Sequence, residues 1–342
     1  MESSLRRFSL PGLLGIAHGA SDAVAGFLVM QALMLNVEGG GLLILLYNGL
    51  AFGLQPVAGF ALDRFNSPRR GAALALLLSA VGLIITWFDL RIGIICAGIG
   101  SAFFHAGAGG TAITSTPKRA TGPGLFAAFG VVGLAIGSQL AFYFSTVTIL
   151  GFVIVLTVLA ALIWFYQVDQ PQAELGSAMT ASGVEIFIVA IVIAVALRSF
   201  VWVTAKSGID DYTQPALWLA LSAGLGKLLG GIFADRFGWR RWMVAALVLS
   251  MPFLAFKENG FLLLLLGVFF LQSVTPLSIA AVGQMLPSSP ALAASLVLGL
   301  GVILGGVPTV LFQITELTGL VIFVPVLLLS IILYWFPLSK KL

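Results

Sequence analysis

The chain has 342 residues, 60% of them hydrophobic and 9% charged, with a formal net charge of +4. Soluble domains carry about 25% charged residues, so this composition excludes an ordinary soluble protein and points to an integral membrane protein. Forty glycines support closely packed membrane helices, one cysteine (Cys96) excludes a disulfide framework or a cysteine-built metal cluster, and the positive balance is expected to fix orientation, not to bind nucleic acid.

About 20 mostly apolar residues cross the hydrocarbon core, and the sequence predicts twelve such spans. The first, near 11–35, follows Arg6 and Arg7 and outruns the apolar region of a signal peptide, so a retained helix is expected. It contains "HGASDAV", in which His18 and Asp22 are spaced i, i+4 and share a helix face. Gly15 and Gly19 offer a small-residue packing surface on the same helix. A charge at mid-span costs roughly 2.5 to 3.5 kcal/mol and usually faces a cavity or a partner. The pair reads either as a hydrogen-bonded packing contact or as a proton-coupling site, because a carboxylate beside an imidazole can load and release a proton near neutral pH.

The second span, near 40–62, holds Asn48 and leads into "GFALDRFNSPRR", Gly59 to Arg70. The third lies near 71–88 and the fourth near 92–113, where Ser101 and His105 again share a helix face. His105 reads either as a packing histidine or as part of the proton site. The fifth (near 122–144) carries Gly130, Gly133 and Gly137, and the sixth lies near 147–166. The longest polar stretch, "QVDQPQAELGSAMTASG", then divides the chain into an expected bundle at 1–166, a cytoplasmic linker at 167–183 and a second bundle at 184–342.

The seventh span (near 184–205) contains Trp202 and Arg198, a guanidinium suited to a carboxylate or phosphonate, or to an ion pair with Asp22 across the two halves. The eighth (near 215–234) contains Lys227 and leads into "GIFADRFGWRRW", Gly231 to Trp242. A short ninth (242–256), a tenth (260–283) with Gln272 and Thr275, an eleventh (291–314) and a twelfth (319–337) complete the series. With the N-terminus inside, twelve of the 17 basic residues fall on the cytoplasmic side, so both termini are expected there.

The segments from Gly59 and from Gly231 both read G-x-x-x-D-R-F followed by a basic pair, and their aspartates are 172 residues apart, near half the chain. A duplicated six-helix unit follows, one of the ways secondary transporters are built. The two segments resemble the loop signature of the major facilitator superfamily. That resemblance implies an all-α membrane protein of 12 transmembrane helices in two pseudo-symmetric six-helix bundles, with helices one, four, seven and ten around a central cavity. It also implies a conformational role for Gly59, Asp63, Arg64, Arg69, Gly231, Asp235, Arg236 and Arg240. In the first copy Asn66, Ser67 and Pro68 make the turn one residue longer than in the second. More narrowly, "GIGSAFFHAGAGG" (Gly98 to Gly110) and the glycines of the following span resemble fosmidomycin-resistance-type efflux proteins. Ala106 and Gly107 stand where that group has proline and glutamate, and Ser138 where it has proline.

The expected function is alternating-access, proton-coupled transport of a small organic solute, anionic or amphipathic. Asp22, His18 and His105 are the candidate proton-coupling residues, and Arg198, Ser101, Gln272, Thr275, Trp202, Asn48 and Lys227 the candidate substrate contacts. A uniporter and a non-transporting assembly or pigment-handling protein of the same fold are the alternatives. The sequence has no HExxH or GxSxG pattern and no phosphate-binding loop, so no enzyme, cofactor, metal site or ATP drive is expected. The expected partners are the solute, protons and the lipid bilayer, for a monomer in the cell (inner) membrane.

Overall fold

The computed structural model describes residues 2–34, 40–143, 146–167, 183–207, 209, 213–312 and 320–339. Most of the expected linker, and Lys340 and Lys341, lie outside them. Among the described residues the chain forms twelve principal helices. The first six are α1 (Glu2–Met34), α2 (Gly41–Arg64), α3 (Pro68–Ile85), α4 (Leu90–Ser115), α5 (Thr121–Tyr143) and α6 (Thr146–Phe165). The second six are α7 (Val184–Ala205), α8 (Gln214–Phe237), α9 (Trp239–Ala255), α10 (Phe261–Met285), α11 (Pro290–Thr309) and α12 (Leu320–Trp335). Ten are long and apolar enough to cross a membrane, while α9 has 17 residues and α12 has 16.

Local chemistry sets the boundaries. Asp89 caps α4, accepting from the backbone N–H of Arg91 at 2.8 Å and Ile92 at 3.3 Å. Prolines stand in the first turns of α3, α8 and α11, where a missing N–H costs nothing. Only Gly238 separates α8 from α9, and its φ of 92° is one that L side chains rarely adopt. The longer turn of the first repeat is closed by Asn66 at φ 47°, the residue type that best tolerates this region after glycine. Several helices are interrupted near mid-span. There are π-turns at Gly49–Gly53 in α2 and Leu296–Leu300 in α11, and breaks at Phe129 in α5 and before Thr275 in α10.

The duplication is visible in the packing. α1 packs on α5 and α3 on α4, and six helices later α7 packs on α11 and α9 on α10. The halves meet along α5 with α8 and along α2 with α11, two contacts that exchange under the same six-helix shift. Glycines permit these approaches. A methyl at Gly59 would come within 2.7 Å of the Ala291 carbonyl of α11, and one at Gly231 within 2.7 Å of the Ala120 carbonyl just before α5.

Candidate functional site

At one end of the molecule the two repeats close the halves against each other. The Asp63 carboxylate accepts from the backbone N–H of Ala291 at 3.0 Å and of Leu292 at 2.8 Å, at the start of α11. Asp235 accepts from the N–H of Ala120 at 2.8 Å and of Thr121 at 3.0 Å, and from the Thr121 hydroxyl at 2.6 Å, at the start of α5. Each repeat aspartate therefore caps a helix of the opposite half, where carboxylate charge meets the positive end of the helix dipole. Both carboxylates are taken up by groups of the opposite half, not by the neighbouring arginines. Arg69 instead donates to the carbonyls of Ile163, Trp164 and Tyr166 at the end of α6, within its own half. Arg240 lies 4.5 Å over the Trp335 ring, Arg236 lies 5.8 Å over Phe237, and Arg64 is exposed. Trp239 Nε1 adds a bond to Asp235 at 3.0 Å.

Midway along the bundle, α1 and α4 bring three polar side chains together. His18 Nδ1 lies 2.9 Å from the carbonyl oxygen of Phe126, beside the break in α5. His105 Nδ1 lies 2.8 Å from the carbonyl oxygen of Ser101 and 3.3 Å from its hydroxyl. A carbonyl only accepts, so each Nδ1 carries the hydrogen and donates it. Both Nε2 atoms then face inward as acceptors, 2.9 Å from each other. The Asp22 carboxylate completes the cluster, with Oδ2 at 3.2 Å from His18 Nε2 and Oδ1 at 3.3 Å from His105 Nε2. Three lone-pair groups converging this closely repel unless a positive species lies among them, whether a proton on an Nε2 or a cation. Phe126 stacks on His18 at 4.6 Å and Phe104 flanks both imidazoles, so the cluster is walled by apolar rings. The histidine side chains are 6% and 7% exposed and that of Asp22 is 18% exposed, so access from the cavity is through the carboxylate.

Across the cavity stands Arg198 of α7, buried. It donates through Nη2 to Thr275 Oγ1 at 2.7 Å, through Nη1 to the Tyr334 hydroxyl at 3.1 Å and through Nε to the Leu271 carbonyl at 3.2 Å. Ser278 Oγ holds the same tyrosine hydroxyl at 2.7 Å. Every partner is neutral. An ion pair of Arg198 with Asp22 is absent among the described residues, because Asp22 is engaged by the histidines and Arg198 is tied back to α10 and α12. Lys227 of α8 adds a second cation. A cavity of about 210 Å³ separates the walls and reaches Lys206 and Ile209, at the end opposite the repeats.

His18, Asp22, His105, Arg198, Trp202, Lys227, Gln272 and Thr275 all line this cavity. Asn48 does not, since its amide donates to Ile44 of its own helix at 2.8 Å. Ser101 sits beneath His105 instead of facing the cavity. Two positions beside the cluster and Arg198 were not singled out in the sequence as site residues. Tyr334, near the end of α12, is fully buried against Arg198. Gly130 reads as a packing glycine, yet a methyl there would lie within 2.6 Å of Asp22 Oδ2 and closer still to His18 Nε2.

No protein-family model matches the chain, and no curated protein does. Among solved structures it superposes on a variant of the E. coli fucose:proton symporter FucP with a TM-score of 0.72, over 96% of this chain and 98% of that one, at 14% identity. A second FucP structure, described as a major facilitator superfamily transporter in the outward conformation, gives 0.73 over 97% of both chains at 15% identity. Neither comparison supports the narrower resemblance to fosmidomycin-resistance-type proteins. The agreement across nearly the whole of both chains, with the repeated helix packing, establishes that this multi-pass membrane protein has the major facilitator fold.

Proposed function

We propose that the chain is a proton-coupled secondary transporter that carries a small organic anion through a cell membrane by alternating access, its two six-helix bundles (1–166 and 184–342) joined by a cytoplasmic linker. The observation that carries this reading is the central cavity, lined by an acid–base cluster and by two cations, Arg198 and Lys227. Arg64, Arg69, Arg70, Arg119, Arg236, Arg240 and Arg241 crowd the repeat-bearing end, which by the positive-inside rule faces the cytoplasm. The conformation is then closed to the cytoplasm by the two aspartate caps, with its cavity directed outward. The likeness to a proton symporter supports the same reading.

The coupling follows from charge. With Asp22 ionised, its negative charge faces Arg198 and Lys227 and partly satisfies them across a cavity of low dielectric. A proton taken up by the His18–Asp22–His105 cluster cancels that charge and leaves the two cations to an incoming carboxylate or phosphonate. The Arg198 fork, held flat by Thr275 and Tyr334, offers it a planar recognition surface. Proton and solute thus bind together, and their joint binding favours breaking the caps at the far end.

The test is uptake of a panel of small organic anions into proteoliposomes under an imposed pH gradient. Wild type shows gradient-driven uptake of at least one anion, and Asp22→Asn and Arg198→Ala each lower it at least tenfold. Full uptake by both variants refutes the coupling scheme. A wild type that transports but ignores the gradient is a uniporter.

A further inference from the structure

We propose that His18, Asp22 and His105 form a binding site for a divalent transition-metal ion. This goes beyond the transport reading and does not depend on it.

The geometry is that of a first coordination shell. An ion held about 2.0–2.1 Å from imidazole nitrogens and a carboxylate oxygen places neighbouring donors about 2.9 Å apart in an octahedral arrangement and about 3.3 Å apart in a tetrahedral one. The two imidazole nitrogens are 2.9 Å apart, and each has one Asp22 oxygen in that interval, Oδ2 at 3.2 Å from His18 and Oδ1 at 3.3 Å from His105, so the carboxylate spans the pair. The two histidines come from positions that no local motif would connect, 87 residues apart.

The surroundings agree. Metal-bound histidines almost always donate their other ring hydrogen to a carbonyl or carboxylate, which fixes the tautomer and aims the free nitrogen. Here both Nδ1 atoms are committed to backbone carbonyls, of Phe126 and Ser101, and both Nε2 atoms are turned toward Asp22 and each other. Gly130 keeps the volume beside the donors free of a side chain, since a methyl there would crowd Asp22 Oδ2 and His18 Nε2. Two imidazoles with one carboxylate select ions such as Zn²⁺, Co²⁺ or Ni²⁺ over Mg²⁺ and Ca²⁺, which require several oxygen donors. The other groups acting on the cluster are Tyr47 of α2 and Lys227 of α8. Lys227 opposes cation binding electrostatically.

The experiment uses the full chain in detergent with any affinity tag removed. The chain has only two histidines and one cysteine, so competing sites are few. Co²⁺ is titrated while the visible spectrum is followed, and Zn²⁺ is titrated by calorimetry. One ion of each per chain is expected, with Zn²⁺ displacing Co²⁺ and its ligand-field bands. In the His18→Ala/His105→Ala double variant, Zn²⁺ binding weakens at least 100-fold. Asp22→Asn, which preserves shape, weakens it at least tenfold and serves if the double variant does not fold. Absence of saturable binding by wild type, or undiminished binding in the folded variants, overturns the proposal, and the converging acceptors then share only protons. A wild type that binds no metal yet responds to a pH gradient refutes this site and leaves the transport reading standing. One that binds metal without gradient-driven uptake does the reverse.

Discussion

Removal of the repeat aspartates gives a graded prediction. Asp63 makes two hydrogen bonds across the halves and Asp235 makes three, the third with the Thr121 hydroxyl. At about 1 kcal/mol net for each bond, Asp63→Ala weakens the closed end by about 2 kcal/mol and Asp235→Ala by about 3 kcal/mol. With tenfold per 1.4 kcal/mol, the closed-to-open ratio at that end falls about 30-fold and about 140-fold respectively. The two caps lie on different helix pairs, so their effects add in the double variant. Spin labels on exposed Phe65 and Ser288, after Cys96→Ala, report the separation of the halves at this end by pulsed dipolar spectroscopy. The long-distance population grows in the order wild type, Asp63→Ala, Asp235→Ala, double variant. Distance distributions unchanged in both single variants refute the view that these caps hold the end shut, and a reversed order refutes the bond-count argument.

Other substitutions separate local from global effects. Gly130→Ala places a methyl against the His18–Asp22 pair and abolishes gradient-driven uptake while helical content by circular dichroism stays unchanged. Tyr334→Phe removes the hydroxyl that joins Arg198 to Ser278 and leaves two buried polar groups short of a partner. Loss of about 1–3 kcal/mol lowers the thermal unfolding midpoint by several degrees, and anion affinity drops because the guanidinium is no longer held flat. Arg69→Lys keeps the charge at the end of α6 but cannot serve three carbonyls with one planar fork. It lowers the unfolding midpoint by less than Tyr334→Phe does.

Much of the architecture is written locally. Twelve apolar runs, the asymmetry of basic residues between loops and the 172-residue spacing of the two G-x-x-x-D-R-F segments are one-dimensional signals, because a bilayer imposes length and hydropathy on each span separately. They yield the helix count, the duplication and the fold class, and the rarity of charge inside the membrane singles out His18, Asp22, His105, Arg198 and Lys227. Span boundaries are less well written. The ninth helix begins at Trp239, ahead of its apolar core, because Gly238 turns the chain there.

Who meets whom was decided only by the tertiary structure. Asp63 and Leu292 are 229 residues apart, and nothing in the "DRF" segment states that its aspartate leaves the adjacent arginines for a helix start in the other half. The same holds for His18 and His105, whose exposed-lone-pair geometry depends on carbonyls freed or positioned by α4 and by the break in α5. Sequence chemistry also left open an Arg198–Asp22 pair, whereas packing surrounds Arg198 with neutral acceptors and leaves its charge facing the cavity. Hydropathy fixes which residues lie in the membrane because each span meets the lipid by itself. Partners across the bundle depend on how helices rotate and cross, and that is settled by close packing of the whole set.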